Sequence, residues 1–345
     1  MIYISLIISS FLSLYFISYL KNKWKFGIED LTNSERKLHL TEVSRIGGII
    51  FILPILILFF EINNTIFKQI FLFSLLILFL GLVEDKFQNT SPLIRIFFMI
   101  GIIIFFVLKN KFILIGFDIE LLNYLNQFNY FSITFIIIGL VFFINGFNFI
   151  DGLNGLLLGI SIIILATYCY YSYEISNLFY TILICILIPT IILFFFNFLY
   201  GKILSGDSGS YFLGFLIGCL SVMMSRFEIL EESEIACIVF YPIIEVIFSA
   251  LRRLIRKQSP FRPDGMHLHQ ILNRLIKNIN YVKYKKRMTD FSNSLSSLII
   301  LITYSSLILI RNATSDFINP LSLFVIFCLV YLLSYFLLSR IDSKN

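Results

Sequence analysis

The sequence predicts an all-α, polytopic membrane protein of about eleven transmembrane helices, and three observations carry that prediction. Only 14% of the 345 residues are charged, where a soluble globule of this length carries about 25%. Hydrophobic residues make up 58% of the chain, and the mean hydropathy is +0.90. Apolar runs near membrane length alternate with short polar links, the pattern expected when every backbone polar group in lipid must be satisfied within its own helix.

The runs lie at about 2–20, 46–60, 69–83, 93–108, 131–147, 156–173, 178–199, 210–225, 235–251, 292–310 and 320–338. Several fall short of the ~20 residues of a full crossing, so they must borrow flanking residues or border a cavity. No basic region precedes the first run and no clear cleavage site follows it, so it reads as a retained span. Cys169, Cys185, Cys219, Cys237 and Cys328 lie in or beside apolar runs without metal-ligand spacing, which points to core or lipid-facing thiols. Residues 1–345 read as one integral-membrane domain, with 252–291 as a long basic loop that carries His267 and His269.

Basic residues choose the orientation. With the N-terminus outside, the outer links keep only Lys68, Lys109, Lys111, Arg226 and Arg311 of the 27 Lys and Arg. The remainder concentrate in the links after the first, third, seventh and ninth runs and in the tail. The positive-inside rule therefore predicts that those links and the C-terminus are cytoplasmic. Five unusual polar clusters then fall on that one face, which a turn-only account does not explain.

Asn145-Gly-Phe-Asn-Phe-Ile-Asp-Gly-Leu-Asn-Gly155 combines amides, a carboxylate and glycines between two uncharged runs. It reads either as a polar turn or as hard oxygen ligands for Mg²⁺, with backbone able to approach a phosphate. Glu84-Asp85 ends an apolar run, where adjacent carboxylates are costly unless they meet a cation or a cavity; a solvated helix end beside Lys86 is the plainer alternative. Gly206-Asp-Ser-Gly-Ser210 opens a span, as an anion-binding helix start or an ordinary N-cap. His267 and His269, at i,i+2 within a basic segment, cannot share one helix face and suit a loop that clamps a diphosphate or meets anionic lipid. His39 and Arg45-Ile-Gly-Gly48 precede the second span, as a phosphate contact or a positive-inside anchor.

In chain order these pieces are R-K-L-H-(x)₅-R-I-G-G at 36–48, G-L-V-E-D…S-P-x-x-R at 81–95, N-G-F-N-F-I-D-G-L-N-G-L at 145–156, G-D-S-G-S at 206–210 and P-D-G-M-H-L-H-Q at 263–270. Together they resemble the polyprenyl-phosphate N-acetylhexosamine-1-phosphate transferases. That family includes undecaprenyl-phosphate GlcNAc-1-phosphate transferases and phospho-MurNAc-pentapeptide translocases. The R-K-x-H and H-L-H versions look closer to the lipopolysaccharide, teichoic-acid and O-antigen branch. Against the family pattern, the chain has Glu84 in the aspartate pair, Arg95 for lysine, Asn154 in D-G-x-D-G and Gln270 for the closing histidine.

The resemblance implies Mg-dependent transfer of an N-acetylhexosamine 1-phosphate from a UDP-sugar to undecaprenyl phosphate, releasing UMP, at the start of a cell-envelope polysaccharide. It assigns Glu84, Asp85, Asp151, His267 and His269 to the catalytic group. His39, Arg45, Arg95, Asn145, Asn154 and Arg262 go to substrate binding, with Arg95 on the lipid phosphate and Asn154 on uracil. Asp207 and Asn148 go to Mg²⁺, for which Mn²⁺ is a candidate substitute. The expected setting is the bacterial inner membrane, with a homodimer implied and no nucleic-acid partner. A transporter or lipid flippase is the alternative from another class; it predicts polar groups at mid-span or on both faces and an inverted repeat, neither of which is evident.

Overall fold

The computed structural model describes residues 2–24, 27–28, 43–87, 91–112, 114, 119–259, 265–280, 288–314 and 317–343. Among these the chain is helical, with only isolated bridges, Ile28 to Ser44 and Ser44 to Ile203, outside helices. Helix α1 covers Ile2–Trp24. A short 3-10 turn, Gly47–Phe51, leads into α2 (Ile52–Glu61), followed by α3 (Thr65–Phe87), α4 (Pro92–Asn110) and a short α5 (Glu120–Asn126). Next come α6 (Asn129–Ile150), α7 (Leu156–Ser172), α8 (Asn177–Tyr200), α9 (Gly206–Arg226), α10 (Glu232–Ile238) and α11 (Phe240–Ile255). The chain closes with α12 (Leu268–Asn280), α13 (Met288–Thr314) and α14 (Pro320–Asp342).

Eight of these helices are long and apolar enough to cross a membrane: α1, α3, α4, α6, α8, α9, α13 and α14. The other three expected spans take different forms. Gly47–Glu61 and Leu156–Ser172 are shorter apolar helices, and the ninth expected run is α10 and α11, bent by 79° where they meet. The bend reflects the sequence: Glu231 and Glu234 form a capping box that starts α10, and Pro242 lies in the first turn of α11, where its missing N–H does no harm. The link after α11 also contains an amphipathic helix, α12, that hydropathy alone does not reveal.

Helix α9 is the axis of the bundle. Its apolar window is 94% buried, against 22–50% for the other long helices, and it packs against α3 and α6. Its first half is Gly-Asp-Ser-Gly-Ser-Tyr-Phe-Leu-Gly, and small residues are what let helices approach closely where no hydrophobic effect drives them together. The outer helices leave large apolar side chains such as Phe97, Phe105 and Leu333 exposed, as a lipid-facing surface requires.

Candidate active site

The start of α9 is built by side chains and backbone from elsewhere. Its N-cap residue, Ser205, provides no side-chain cap. Asp85, near the end of α3, fills that role: its Oδ1 accepts the Asp207 N–H at 2.8 Å and its Oδ2 the Ser208 N–H at 2.9 Å. A carboxylate there satisfies two orphan donors and faces the positive end of the helix dipole. One turn back on α3, a Cβ at Gly81 would lie 2.5 Å from the Asp207 carbonyl oxygen and the Ser208 Cα, so only glycine lets α3 come this near. Gly206 has φ +70°, and a Cβ there would collide with the Arg45 carbonyl oxygen. The N–H groups of Gly47 and Gly48 donate to Leu204 O (2.9 Å) and Ser205 O (3.0 Å). The glycines of three motifs thus bring backbone to backbone, and the Gly47–Gly48 pair is buried.

On this frame lies a cluster of acids and guanidinium groups. Asp207 Oδ1 accepts a hydrogen bond from Asn148 Nδ2 at 2.6 Å and lies 3.6 Å from Arg45 Nη2, while its Oδ2 lies 3.7 Å from Arg95 Nη1. Arg95 Nη1 is also 3.3 Å from Glu84 Oε1 and donates to Tyr211 Oη at 3.3 Å. Arg45 Nε is 3.9 Å from Asp85 Oδ1, and Asn148 Nδ2 also donates to Ser210 Oγ at 3.2 Å. The Asp85 side chain is fully buried, whereas those of Arg45 and Arg95 are 29% and 26% exposed. The cations therefore form the open side of the cluster, and the acids lie behind them.

The Asn145–Gly155 stretch divides its residues among several environments. Asn145 donates back to Val141 O at 2.7 Å, one turn earlier on α6. Asp151 leaves the helix at the C-cap with φ −80° and ψ 55°, half-buried. Asn154 is buried, with an Oδ1 that has no hydrogen-bond partner, and a Cβ at Gly201 would lie 2.7 Å from its Nδ2. Asn197 of α8 braces the same turn, accepting the Gly155 N–H and donating to Ile203 O at 2.6 Å.

The histidines form a second group. His267 Nδ1 is 3.0 Å from Glu245 Oε2 and 3.2 Å from Ser249 Oγ, and its ring packs against Phe149 at 5.0 Å. His269 stacks on His267 at 5.6 Å and is completely buried, with neither ring nitrogen hydrogen-bonded. A Cβ at Gly152 would lie 2.7 Å from its Nε2. Burial holds this imidazole neutral, lowering its pKa from 6.5 to about 3. Helix α6 joins the two groups through consecutive residues: Asn148 holds Asp207, and Phe149 touches His267. The structure thus gathers Arg45, Glu84, Asp85, Arg95, Asn148 and Asp207 in one cluster. His267 and His269 lie with Gly152 in the other. His39 and Arg262 lie outside the described residues.

Sequence reasoning passed over Glu245, Ser249, Arg252, Tyr211 and Asn197. One signal was available: Glu245 is the sole acid within the apolar run 235–251, and an ionisable residue inside a span is a marker of function or of a specific partner.

The residues fit a hard divalent cation in donor chemistry. Asp207 and Glu84 offer carboxylate oxygens, and Glu84 Oε2 is buried without a hydrogen-bond partner. Among the described residues no group of three His, Cys, Asp or Glu side chains forms a ready-made cage. Mg²⁺ in general needs only one or two carboxylates, with waters and substrate phosphates completing its shell.

Residues 66–225 match the family model described as "Glycosyl transferase family 4". This region contains the acidic pair, Arg95, the Asn145–Gly155 stretch and the start of α9. The chain is 28% identical over 312 residues to an "Undecaprenyl-phosphate alpha-N-acetylglucosaminyl 1-phosphate transferase" of Thermotoga maritima, covering 88% of each chain. It is 28% identical over 248 residues to a "Probable undecaprenyl-phosphate N-acetylglucosaminyl 1-phosphate transferase" of Bacillus subtilis, covering 69% of this chain and 68% of the relative. A "Phospho-N-acetylmuramoyl-pentapeptide-transferase" of Staphylococcus epidermidis is 27% identical over 274 residues, covering 72% of this chain and 82% of the relative. The chain, a multi-span membrane protein, is thus similar over residues 66–225 to glycosyl transferase family 4, and these relatives are named as transferases of sugar 1-phosphates to polyprenyl phosphates or as phospho-N-acetylmuramoyl-pentapeptide transferase.

Proposed function

We propose that the protein transfers an N-acetylhexosamine 1-phosphate from a UDP-sugar to undecaprenyl phosphate and releases UMP, as the first step of a cell-envelope polysaccharide. The observation that carries this reading is the pair of partly exposed arginine side chains, Arg45 and Arg95, held over Asp207 at the start of α9. Two anionic substrates must meet for this reaction, and fixed cations at the mouth of a buried acid cluster reduce their repulsion.

The lipid phosphate is the nucleophile. One of its oxygens attacks the sugar-bearing phosphorus of the UDP-sugar, the bond from that phosphorus to the bridging oxygen breaks, and UMP leaves with the electron pair. A phosphate monoester is already largely ionised near neutral pH, so the step needs no protein base. Asp85 fits this account as a positioning residue, because both its oxygens accept α9 N–H groups. Arg95, tied to Glu84 and Tyr211, is placed to bind the lipid phosphate, and Arg45 the diphosphate. Mg²⁺, held by Asp207 with Glu84 and with Asn148 orienting the carboxylate, would supply charge neutralisation of the diphosphate. Asn154 would reach a uracil edge only if the turn beneath Gly201 opens, whereas Asp151 and His267 line the same end of α6.

The concentration of basic residues in the links supports the cytoplasmic face of the bacterial inner membrane as the location of this site. A transporter or flippase reading gives no reason for the residues of the sequence motifs to gather at the start of α9 and the adjoining end of α6. The test is purified protein with undecaprenyl phosphate and a panel of UDP-sugars (GlcNAc, GalNAc, FucNAc and QuiNAc), followed by UMP release and mass spectrometry of the lipid. A lipid diphosphate sugar with stoichiometric UMP is expected, and its absence with every sugar, with Mg²⁺ and Mn²⁺ each supplied, would sink the proposal.

A further inference from the structure

Helix α11 carries a polar stripe inside its apolar length. Glu245, Ser249 and Arg252 recur at i, i+4 and i+7 and so share one face. All three are buried, and all three grip the turn that carries the histidines. Glu245 Oε2 meets His267 Nδ1 at 3.0 Å, while its Oε1 accepts the Leu268 N–H at 3.3 Å. Ser249 Oγ meets the same Nδ1 at 3.2 Å, and Arg252 Nη1 donates to Met266 O at 2.6 Å.

We propose that Glu245 is a positioning residue of the transfer site: it fixes the ring of His267 and the first turn of α12, and so holds the histidine turn against the end of α6. This inference rests on the transferase reading above. A carboxylate buried within a membrane-spanning element is costly unless its partners compensate it, and an apolar residue would serve packing better. Both oxygens of Glu245 are used by the two residues His267 and Leu268. A carboxylate on Nδ1 sets which ring nitrogen carries the proton and how the ring is turned, the role an orienting acid plays behind a working histidine. The consequence reaches the acid cluster by contact. His267 packs on Phe149, whose neighbour Asn148 is bonded to Asp207. His267 also stacks on His269, which lies against Gly152.

The experiment uses the full chain in detergent with Glu245→Gln. The glutamine keeps an oxygen for the Leu268 N–H but presents an amide donor to Nδ1, which favours the proton on Nε2 of His267. In ¹⁵N-histidine spectra, with His267 assigned by its loss in His267→Gln, the wild-type Nδ1 is expected to be protonated and the variant shifted towards the other tautomer. In steady-state transfer, kcat should fall about 10–100-fold, the usual cost of losing an orienting partner, with KM for the UDP-sugar unchanged. The losses in Glu245→Gln and His267→Gln should not add in the double variant. An unchanged His267 nitrogen spectrum, additive losses, or an effect confined to KM would overturn the proposal. Should Glu245→Gln not fold, the wild-type spectrum still decides, because an Nε2-protonated neutral His267 there is incompatible with it. A wild-type protein that transfers no sugar phosphate would defeat the transferase reading, while the nitrogen spectra would still test Glu245 and His267.

Discussion

Acids and arginines meet at both ends of α9, and the two clusters are made differently. At its start, Glu84, Asp85 and Asp207 lie behind Arg45 and Arg95, whose side chains remain about a quarter exposed. Beyond its far end, about 30 Å away along 21 residues, Arg311 is paired with Glu234 and is only 1% exposed. Its guanidinium lies 4.8 Å from the Tyr171 ring centroid and donates to Asn312 Oδ1 at 3.1 Å. That arginine is closed in by protein and joins α13 to α10, next to the 79° bend. Charge pairing inside a membrane protein therefore does not by itself mark a site. What separates the two is access: one set of cations is partly exposed, and the other is enclosed by the fold.

The largest expected effect tests the open cluster. Asp207→Asn removes the charge between Arg45 and Arg95 but leaves an oxygen for Asn148, so the protein should fold while kcat drops about 10²–10⁴-fold, the range for loss of a positioned charged group. UMP release measures it, and wild-type activity should vanish in EDTA and return with Mg²⁺. Retained turnover in either case would remove Asp207 from the proposed metal and phosphate site.

The closed cluster should give the opposite result. Arg311→Met leaves the part-buried Glu234 without its partner, a loss of up to about 3–5 kcal/mol, seen as a lower thermal midpoint in detergent. Turnover at a temperature where the variant is folded should match wild type. A fall in kcat without loss of stability would abolish the distinction between the two ends.

Asp85→Asn falls between them. The asparagine can accept only one of the two α9 N–H groups, so about 1–3 kcal/mol of stability should go with the unsatisfied donor, together with activity, because Asp207 is the residue being held. Thermal unfolding beside kinetics separates this from Asp207→Asn, which should lose activity alone. Undiminished stability in Asp85→Asn would mean that its carboxylate acts on substrate instead of on the helix.

The smallest effect is a pH dependence. His269 is neutral in the folded state with a pKa near 3, against 6.5 when unfolded. Below 6.5 the unfolded chain binds a proton that the folded one refuses, so this residue's contribution is constant above 6.5 and destabilising as pH falls towards 3. At pH 5.5 it amounts to about 1 kcal/mol. Thermal midpoints between pH 7.5 and 5.5 should fall less steeply for His269→Phe than for wild type; equal slopes would show that His269 charges in the folded protein.

The helical membrane architecture, the family resemblance and the residues of the acid cluster were all legible along the chain. Hydropathy is a local property, because each span must satisfy its own backbone in lipid. Motifs such as Gly81–Asp85 and Gly206–Ser210 are short enough to be read in place. Even the eleven apolar runs find counterparts in eight long helices, two short ones and a bent pair. What those residues touch depends on how the helices pack. Asp85 and Asp207 are 122 positions apart, and nothing local says that one caps the helix of the other or that Gly81 is there to let α3 approach. His267 and His269 look alike at i,i+2, yet one meets a buried carboxylate and the other lies neutral beneath Gly152. Glu245 was visible as a lone acid in an apolar run, but its partner lies 22 residues further on, across a loop whose path the residue order does not specify. Burial and partner choice fix the charge and role of such groups, and both depend on contacts that exist only once the helices have packed.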